Sequence, residues 1–299
     1  MDRLHLMTVF VAVAESESFA GGARRLGMSP PAVTRAVAAL EERLGVKLLN
    51  RTTRHVRVTE AGQRYLEDAR RIIAEVDEAD EAAVGINAEP RGHLAVTAPV
   101  LFGKLFVMPA VVDYLQRYPQ MEVSALFLDR VVNLLEEGLD VGIRIGELAD
   151  STMKALRVGY VRRVVCASPE YLDKLGLPLA PEDLLGHQII AASGVSPTIE
   201  WKFQRDGETV GVRVRPRLVI TSNDAALEAA VRGFGITRLL SYQVAQQLAN
   251  QQLKIILSEF EPPRLPIHIV HREGRRPSAK MRAFIDLMAA HLRSSADLN

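Results

Sequence analysis

The sequence predicts a multidomain chain of mixed α+β and α/β class: a small helical unit, then one long polar helix, then a larger α/β unit. Three observations predict it. Between residues 3 and 45, apolar residues recur at helical spacing and are punctuated by Gly27, Pro30-Pro31 and Gly45. After Thr59 a single narrow apolar stripe runs through nearly thirty residues crowded with charge. From His93 to the C-terminus, β-prone runs alternate with helical ones. The 299 residues, 48% apolar and 24% charged, suffice for several buried cores, at about 100–200 residues per domain.

Leu4, Leu6, Met7, Phe10, Val11 and Val13 predict a first amphipathic helix ending near Ala14. Ser18 is placed to cap a second, Phe19 to about Leu26, and Gly27 to end it in a left-handed conformation. Ser29 is the expected cap of a third, with Pro30 and Pro31 in its first turn, where a missing N–H costs nothing. Val33, Val37, Leu40 and Leu44 give that helix its buried face, and Gly45 its end. Two short helices joined by a Gly-containing turn form a helix-turn-helix. Pro30, Thr34, Arg35, Ala38 and Glu42 remain for solvent, and short residues near a helix start let it enter a major groove closely. Arg51 to Thr59 alternates bases with apolar or polar residues and reads as a wing, a hairpin whose bases reach phosphate or a minor groove.

Charge supports that reading. The net charge of +1 excludes a chain that binds nucleic acid by being basic everywhere. Yet Gly21 to Arg57 holds eight bases against two acids, Glu41 and Glu42, whereas Glu60 to Glu89 holds nine acids against three bases. A basic end on a near-neutral chain is an electrostatic footprint, with a solvated basic face as the alternative. Cys166 is the single cysteine, in an apolar run, so no internal disulfide forms and a buried, inert thiol is expected. The N-terminus lacks a signal-peptide pattern and no uncharged apolar run reaches bilayer length, so a cytoplasmic protein without membrane contact is expected.

Residues 1–62 resemble the winged helix-turn-helix of the LysR-type transcriptional regulators. The resemblance is carried by Phe10, Ser18-Phe19, Ala23, Leu26, Ser29, Pro31-Ala32-Val33-Thr34-Arg35, Leu40-Glu41, Leu44-Gly45, Lys47-Leu48-Leu49, Arg51 and Thr59-Glu60-Ala61-Gly62. It implies a DNA-binding regulator with Ser29, Pro30, Pro31, Thr34 and Arg35 at the major groove. Arg51, Thr52, Arg54 and Arg57 are then the backbone or minor-groove contacts. Two positions depart from the family pattern. Pro30 stands where an adenine-reading Gln is common, and Gly22 stands where Ala is usual, at about 1 kcal/mol in helix propensity.

In the long helix Leu66, Ala69, Ile73, Val76, Asp80 and Ala83 form a stripe as narrow as a coiled-coil seam. A second copy is the expected partner, with packing against its own chain as the alternative. Two paired readers imply double-stranded DNA with a pseudo-palindromic operator, half-sites about one helical turn or a multiple apart. The resemblance adds a homodimer that pairs into a homotetramer.

Glu89-Pro90-Arg91-Gly92 reads as a hinge. Expected next are a strand at 93–98, a helix at 99–118, a strand at 122–128, a helix near 130–137 and a strand at 141–145. A second α/β half follows: a strand at 163–167, a helix at 181–185, strands at 188–191 and 212–219, and a helix opened by Ser222 that runs to Arg232. A strand after Gly233-Phe234-Gly235, the strand 266–271 and a helix at 278–292 complete it. The alternation predicts parallel sheets flanked by helices, with ligands at the C-terminal strand ends. Asp140 to Arg144, Pro181 to Leu184 and Gly233 to Ile236 resemble the LysR effector domain. That implies a periplasmic-binding-protein-like module whose two α/β lobes enclose a cleft for a small molecule, with crossovers near Tyr160–Arg163 and Pro266–His268. The domains expected are 1–60 (reader), 61–90 (linker helix and hinge) and 91–299 (effector domain: lobe I 91–162 and 267–299, lobe II 163–266).

The implied effector residues are Thr97, Val100, Phe102, Asp129, Arg144, Ser196, Thr198, Asn223 and Phe234. Helix capping is the alternative for Thr97 and Asn223, a structural ion pair for Arg144, and Trp201 is expected to pack. Helix N-termini and Arg144 suit an anionic effector. No cofactor or metal is expected: the chain has no Gly-x-Ser-x-Gly elbow, phosphate-binding loop or dinucleotide fingerprint, and His268 and His271 face opposite sides of one strand. A solute-binding protein would leave residues 1–62 unexplained, and an architectural DNA-binding protein would leave the sensor idle.

Overall fold

The computed structural model describes residues 2–51, 56–84, 89–134, 136–148, 153–192, 200–272 and 278–298. It divides into two compact units, one of residues 1–88 with 276–279 and one of the remainder.

The first unit begins with α1 (Arg3–Glu15), α2 (Phe19–Arg25) and α3 (Pro30–Leu44), followed by strands β1 (Leu49–Arg51) and β2 (Val56–Val58) and the long α4 (Glu60–Val84). Val9, Phe10, Val13, Val33, Ala36, Val37 and Leu40 are solvent-free and make one core. Ser18 caps α2, its hydroxyl accepting from the Gly21 N–H at 3.2 Å. Gly27 and Gly45 take φ of +61° and +68°. At both, the N–H of the following residue reaches back to close the helix, Met28 to the Ala23 carbonyl and Val46 to that of Glu41. Ser29 opens α3 as expected, but its side chain makes no capping hydrogen bond.

Gly22 has a packing reason. A Cβ there would stand 2.8 Å from Val13 Cγ2 and 3.0 Å from Val13 Cα, so the missing side chain is what lets α2 lie on α1. Gly22→Ala should therefore lower stability by about 1–3 kcal/mol, in spite of its better helix propensity. A denaturation midpoint above the parent's would show that this contact yields.

The first half of α4 packs on its own chain. Leu66 and Ala69 are buried, Tyr65 meets Phe10 with ring centroids 5.7 Å apart, and Arg70 pairs with Glu15 at 2.9 Å. The stripe read as a seam between copies is thus split. Its start belongs to the reader core, while Ile72, Ile73 and Val76 stay partly exposed. The side chains of Asp80 and Ala83 lie outside the described residues.

The second unit holds two five-stranded sheets. Its elements are β3 (Gly92–Ala98), α5 (Val100–Phe102), a π-helical turn at Gly103–Val107, α6 (Met108–Arg117), β4 (Met121–Phe127), β5 (Val141–Ile145) and β6 (Met153–Val161). Next come β7 (Arg163–Ala167), α7 (Pro169–Leu175), a 3-10 turn at Pro181–Gly186, β8 (Ile189–Ala192), β9 (Glu200–Arg205), β10 (Glu208–Arg213), β11 (Pro216–Ile220) and α8 (Asn223–Val231). The chain finishes with β12 (Ile236–Leu240), α9 (Ser241–Ala249), β13 (Lys254–Ile256), β14 (Leu265–Arg272) and α10 (Ala279–Ser294).

One sheet runs β4-β3-β5-β14-β6 and the other β11-β8-β12-β7-β13. Both are mixed where parallel sheets were expected. β3 runs parallel to β4 and β5, but β14 returns antiparallel to β5 and β6, and β7 lies antiparallel to β12 and β13. The chain crosses between sheets at Arg162 and again between Ile256 and Leu265. The second crossing precedes the expected Pro266–His268, which already lie in β14. Residues 131–134 and 136–137 form no regular helix where one was read. The run 212–219 is two strands: β10 pairs with β9 in a separate hairpin, and β11 joins the main sheet. Strands β6, β9 and β13 and helices α7 and α9 were not read from the sequence.

Candidate nucleic-acid interface and effector site

The reader surface follows from α3. Its inward face is wholly buried, leaving Ser29, Pro30, Pro31 and Arg35 exposed and Thr34 half-buried around the first turns. The exposed Arg57 lies in β2, opposite Asn50, and Arg51 ends β1 with its backbone described but not its side chain. Thr52 and Arg54 lie outside the described residues.

Sequence reasoning missed the group that joins wing to helix. Glu41, counted as an acid opposing the basic face, is buried. Its Oε1 accepts the Leu48 and Leu49 N–H groups at 3.0 and 3.1 Å, and its Oε2 accepts Lys47 Nζ at 2.6 Å. Burial alone would raise its pKa; hydrogen bonds from Lys47, Leu49 and Leu48, with the Lys47 charge, hold it below the usual carboxylate value. Thr59 fastens the other end, its hydroxyl donating to the Lys47 carbonyl at 2.7 Å and accepting the Gly62 N–H at 2.9 Å as α4 begins.

In the second unit, strand polarity gathers the candidate effector residues at one end. β14 starts at a crossover and pairs Ile267 with Ile145, so β5, its parallel neighbour β3 and, beyond it, the parallel β4 point their C-termini there. β7 starts at the other crossover; β12 runs against it and β8 and β11 run with β12, so these three also end there. Thr97, Val100, Asp129 and Arg144 therefore share an end with Asn223.

Within that group the roles differ from those read. Thr97 is buried and faces the position where Gly142 lacks a side chain, rather than capping a helix. Asp129 instead accepts the Val100 N–H at 3.0 Å, and Ser222, not Asn223, caps α8 by accepting the Ala225 N–H at 3.3 Å. Val100 is 42% exposed and free to line a site. Arg144 donates to the Val132 carbonyl at 2.5 Å, and burial lowers its pKa. Phe102 is fully buried in the first sheet's core, so it shapes the end from beneath. Phe234 is not brought in. It precedes the opening residue of β12, at the far end from the crossovers, where Arg217 lies 5.6 Å from its ring. Ser196 and Thr198 lie outside the described residues.

Sequence reasoning also missed Tyr242. It is the second residue of α9, whose Val244 belongs to the second lobe's core, yet its ring packs in the first lobe's core. It meets Phe102 and Phe106 edge-on at 5.3 and 5.8 Å. The neighbouring Ser241 N–H donates to the Arg162 carbonyl at 2.8 Å, and its hydroxyl accepts the Arg162 N–H at 3.1 Å. A helical stripe after β12, with Val244 and Leu248, was the available signal for α9. Cys166 is buried, and burial pushes its thiol up to about 12, where it is inert as a nucleophile.

Known proteins match both units. Residues 4–63 match the model described as bacterial regulatory helix-turn-helix protein, lysR family, and residues 87–293 match the LysR substrate binding domain. The chain is 32% identical over 287 residues to the HTH-type transcriptional regulator CrgA of Neisseria meningitidis serogroup B, covering 96% of each. The solved structure of CrgA, a LysR-type transcriptional regulator, superposes with a TM-score of 0.62, covering 96% of this chain and 98% of that one. The full-length Vibrio cholerae virulence activator AphB, a member of the LTTR protein family, gives a TM-score of 0.63 at 26% identity over 97% of this chain and 100% of that one. With a helix-turn-helix that binds DNA and an α/β domain that binds an effector, the chain belongs to the LysR family of bacterial transcriptional regulators.

Proposed function

We propose that Ser29, Pro30, Pro31, Thr34 and Arg35 read the major groove of a pseudo-palindromic operator, with Arg51, Thr52, Arg54 and Arg57 on the flanking backbone or minor groove. The observation that carries this is the first turn of α3. Ser29, Pro30 and Pro31 are exposed there, Val33 on the opposite face is solvent-free, and the Ser29 hydroxyl is not consumed as a cap. A small molecule, anionic in character, binds at the crossover end among Thr97, Val100, Asp129, Arg144 and Asn223, with Ser196 and Thr198 from the adjoining segment. Phe102 and Tyr242 support that floor. The protein works as a regulator on the chromosome, in the cytoplasm, and not as an enzyme. Two copies pair through the part of α4 that holds Ile72, Ile73 and Val76, and dimers pair into a tetramer. The domain limits 1–60, 61–90 and 91–299 fit this division of labour.

Neutralising Arg35 tests the reader. With duplexes selected from a random pool, Arg35→Gln should weaken specific binding about tenfold or more. If Arg35 contacts a phosphate, the slope of log affinity against log salt should fall by about 1. A variant matching the parent in both affinity and slope would sink the assignment.

A further inference from the structure

Arg163 opens β7 and Arg238 lies in its neighbour β12. Arg238 pairs with Val165 and Leu240 with Arg163, so the arginines sit diagonally on one face of the second sheet, with backbones about 7–8 Å apart. It is the face against which β9 packs. The Arg238 guanidinium lies 5.0 Å from the centre of the Trp201 ring, and its Nη1 is 3.5 Å from the Lys202 carbonyl.

Both arginines are partly buried, and among the described residues neither makes an ion pair with a carboxylate. Burial first, and the like charge of Arg163 second, push Arg238 down to about 9, and burial lowers Arg163 as well. Two half-desolvated cations side by side work against folding, and an anion bound between them would offset that cost. Their place matches. β7 begins and β12 ends at the crossover end, and β9 follows the segment 193–199, Ser-Gly-Val-Ser-Pro-Thr-Ile, which holds no acid. Arg144, the cation read from the sequence, is already engaged by the Val132 carbonyl.

We propose that Arg163 and Arg238, beside the Trp201 indole, are the anion-recognising end of the effector site and select a small organic carboxylate. The guanidinium forks supply charge-assisted hydrogen bonds to its oxygens, and the proposal rests on the reading that the effector binds at the crossover end. Trp201 is the chain's single tryptophan and so a built-in reporter.

The experiment titrates the full chain with sodium succinate and sodium hexanoate while following tryptophan emission, against sodium chloride at matched ionic strength. A saturable change in the ~mM range is expected with at least one carboxylate and none with chloride. Arg163→Gln and Arg238→Gln should each weaken it about tenfold or more. Without ligand, both variants should melt no lower than the parent, because each loses a like-charged neighbour. No saturable response, an equal response to chloride, variants that bind as the parent does, or unliganded variants that melt lower would each overturn the proposal. Thr97→Val and Asn223→Ala separate it from the cleft reading. If these weaken binding while the arginine variants do not, the cleft stands and the arginine pair falls. If only the arginine variants weaken it, the pair stands and the site lies within the second lobe alone.

Discussion

Replacing Glu41 by alanine is expected to cost the reader about 2–5 kcal/mol, because it strands two buried N–H groups, each at about 1–3 kcal/mol. Those groups, on Leu48 and Leu49, sit where the chain leaves α3 and enters the wing. The loss compares with the whole stability of a small helical domain at roughly 0.05–0.15 kcal/mol per residue. Specific DNA binding should vanish with the fold, whereas the second unit keeps its own melting transition. Glu41→Gln separates polarity from charge. Its amide oxygen still accepts both N–H groups, so most stability should return, while the Lys47 ion pair is lost. The pH dependence has a definite sign. The folded-state pKa lies below the ordinary 4.5, so the carboxylate's contribution is fully present above that value and lost as pH falls through the lower folded one. The parent reader should weaken across that acidic window, and the Gln variant should lack that component. Equal denaturation midpoints for parent and alanine variant would show that water replaces the carboxylate at no cost.

The reader was legible because its signals are local. Ser18, Gly27, Pro30-Pro31 and Gly45 each act within a few residues, and the left-handed conformations at the two glycines follow from their lack of a side chain. Glu41 was misread because its partners lie six to eight residues on, past a helix end, where charge counting sees only an acid. The same limit explains the α4 stripe, whose period does not say whether Leu66 meets Phe10 of its own chain or a second copy. In the sensor, alternation found most strands of the two sheets. It placed a helix near 130–137 because the apolar spacing there is helical, although Val132, Leu134 and Leu139 are buried from irregular backbone. It fused β10 and β11 because both are β-prone and only tertiary pairing separates them. The effector residues were the least legible. Thr97, Val100 and Asp129 converge through strand polarity, but which of them caps, packs or faces solvent is set by neighbours far away in the chain.

Removing the ring of Tyr242 should give the largest effect in the sensor. Truncating a fully packed aromatic to alanine costs about 3–5 kcal/mol, and this ring also gives up two edge-on contacts worth about 0.5–1.5 kcal/mol each. The side chain is 4% exposed, between Phe102 and Phe106 of one lobe, on a helix rooted in the other. Its phenol is held above the ordinary value by burial, then by the Asp129 charge, so it stays neutral and acts by shape. Tyr242→Phe should therefore melt within about 1.5 kcal/mol of the parent, since it conserves volume. In Tyr242→Ala, hydrogen exchange should rise together over residues 100–107 and 241–249, one segment from each lobe, because the lost contact was shared. Operator binding without effector should persist, as the reader's core uses none of these residues. Exchange rising in α9 alone would mean that Phe102 and Phe106 close over the gap. Tyr242 would then be ordinary core, and the lobes would be held by the Arg162–Glu261 pair, 3.0 Å apart, and the Ser241 hydrogen bonds.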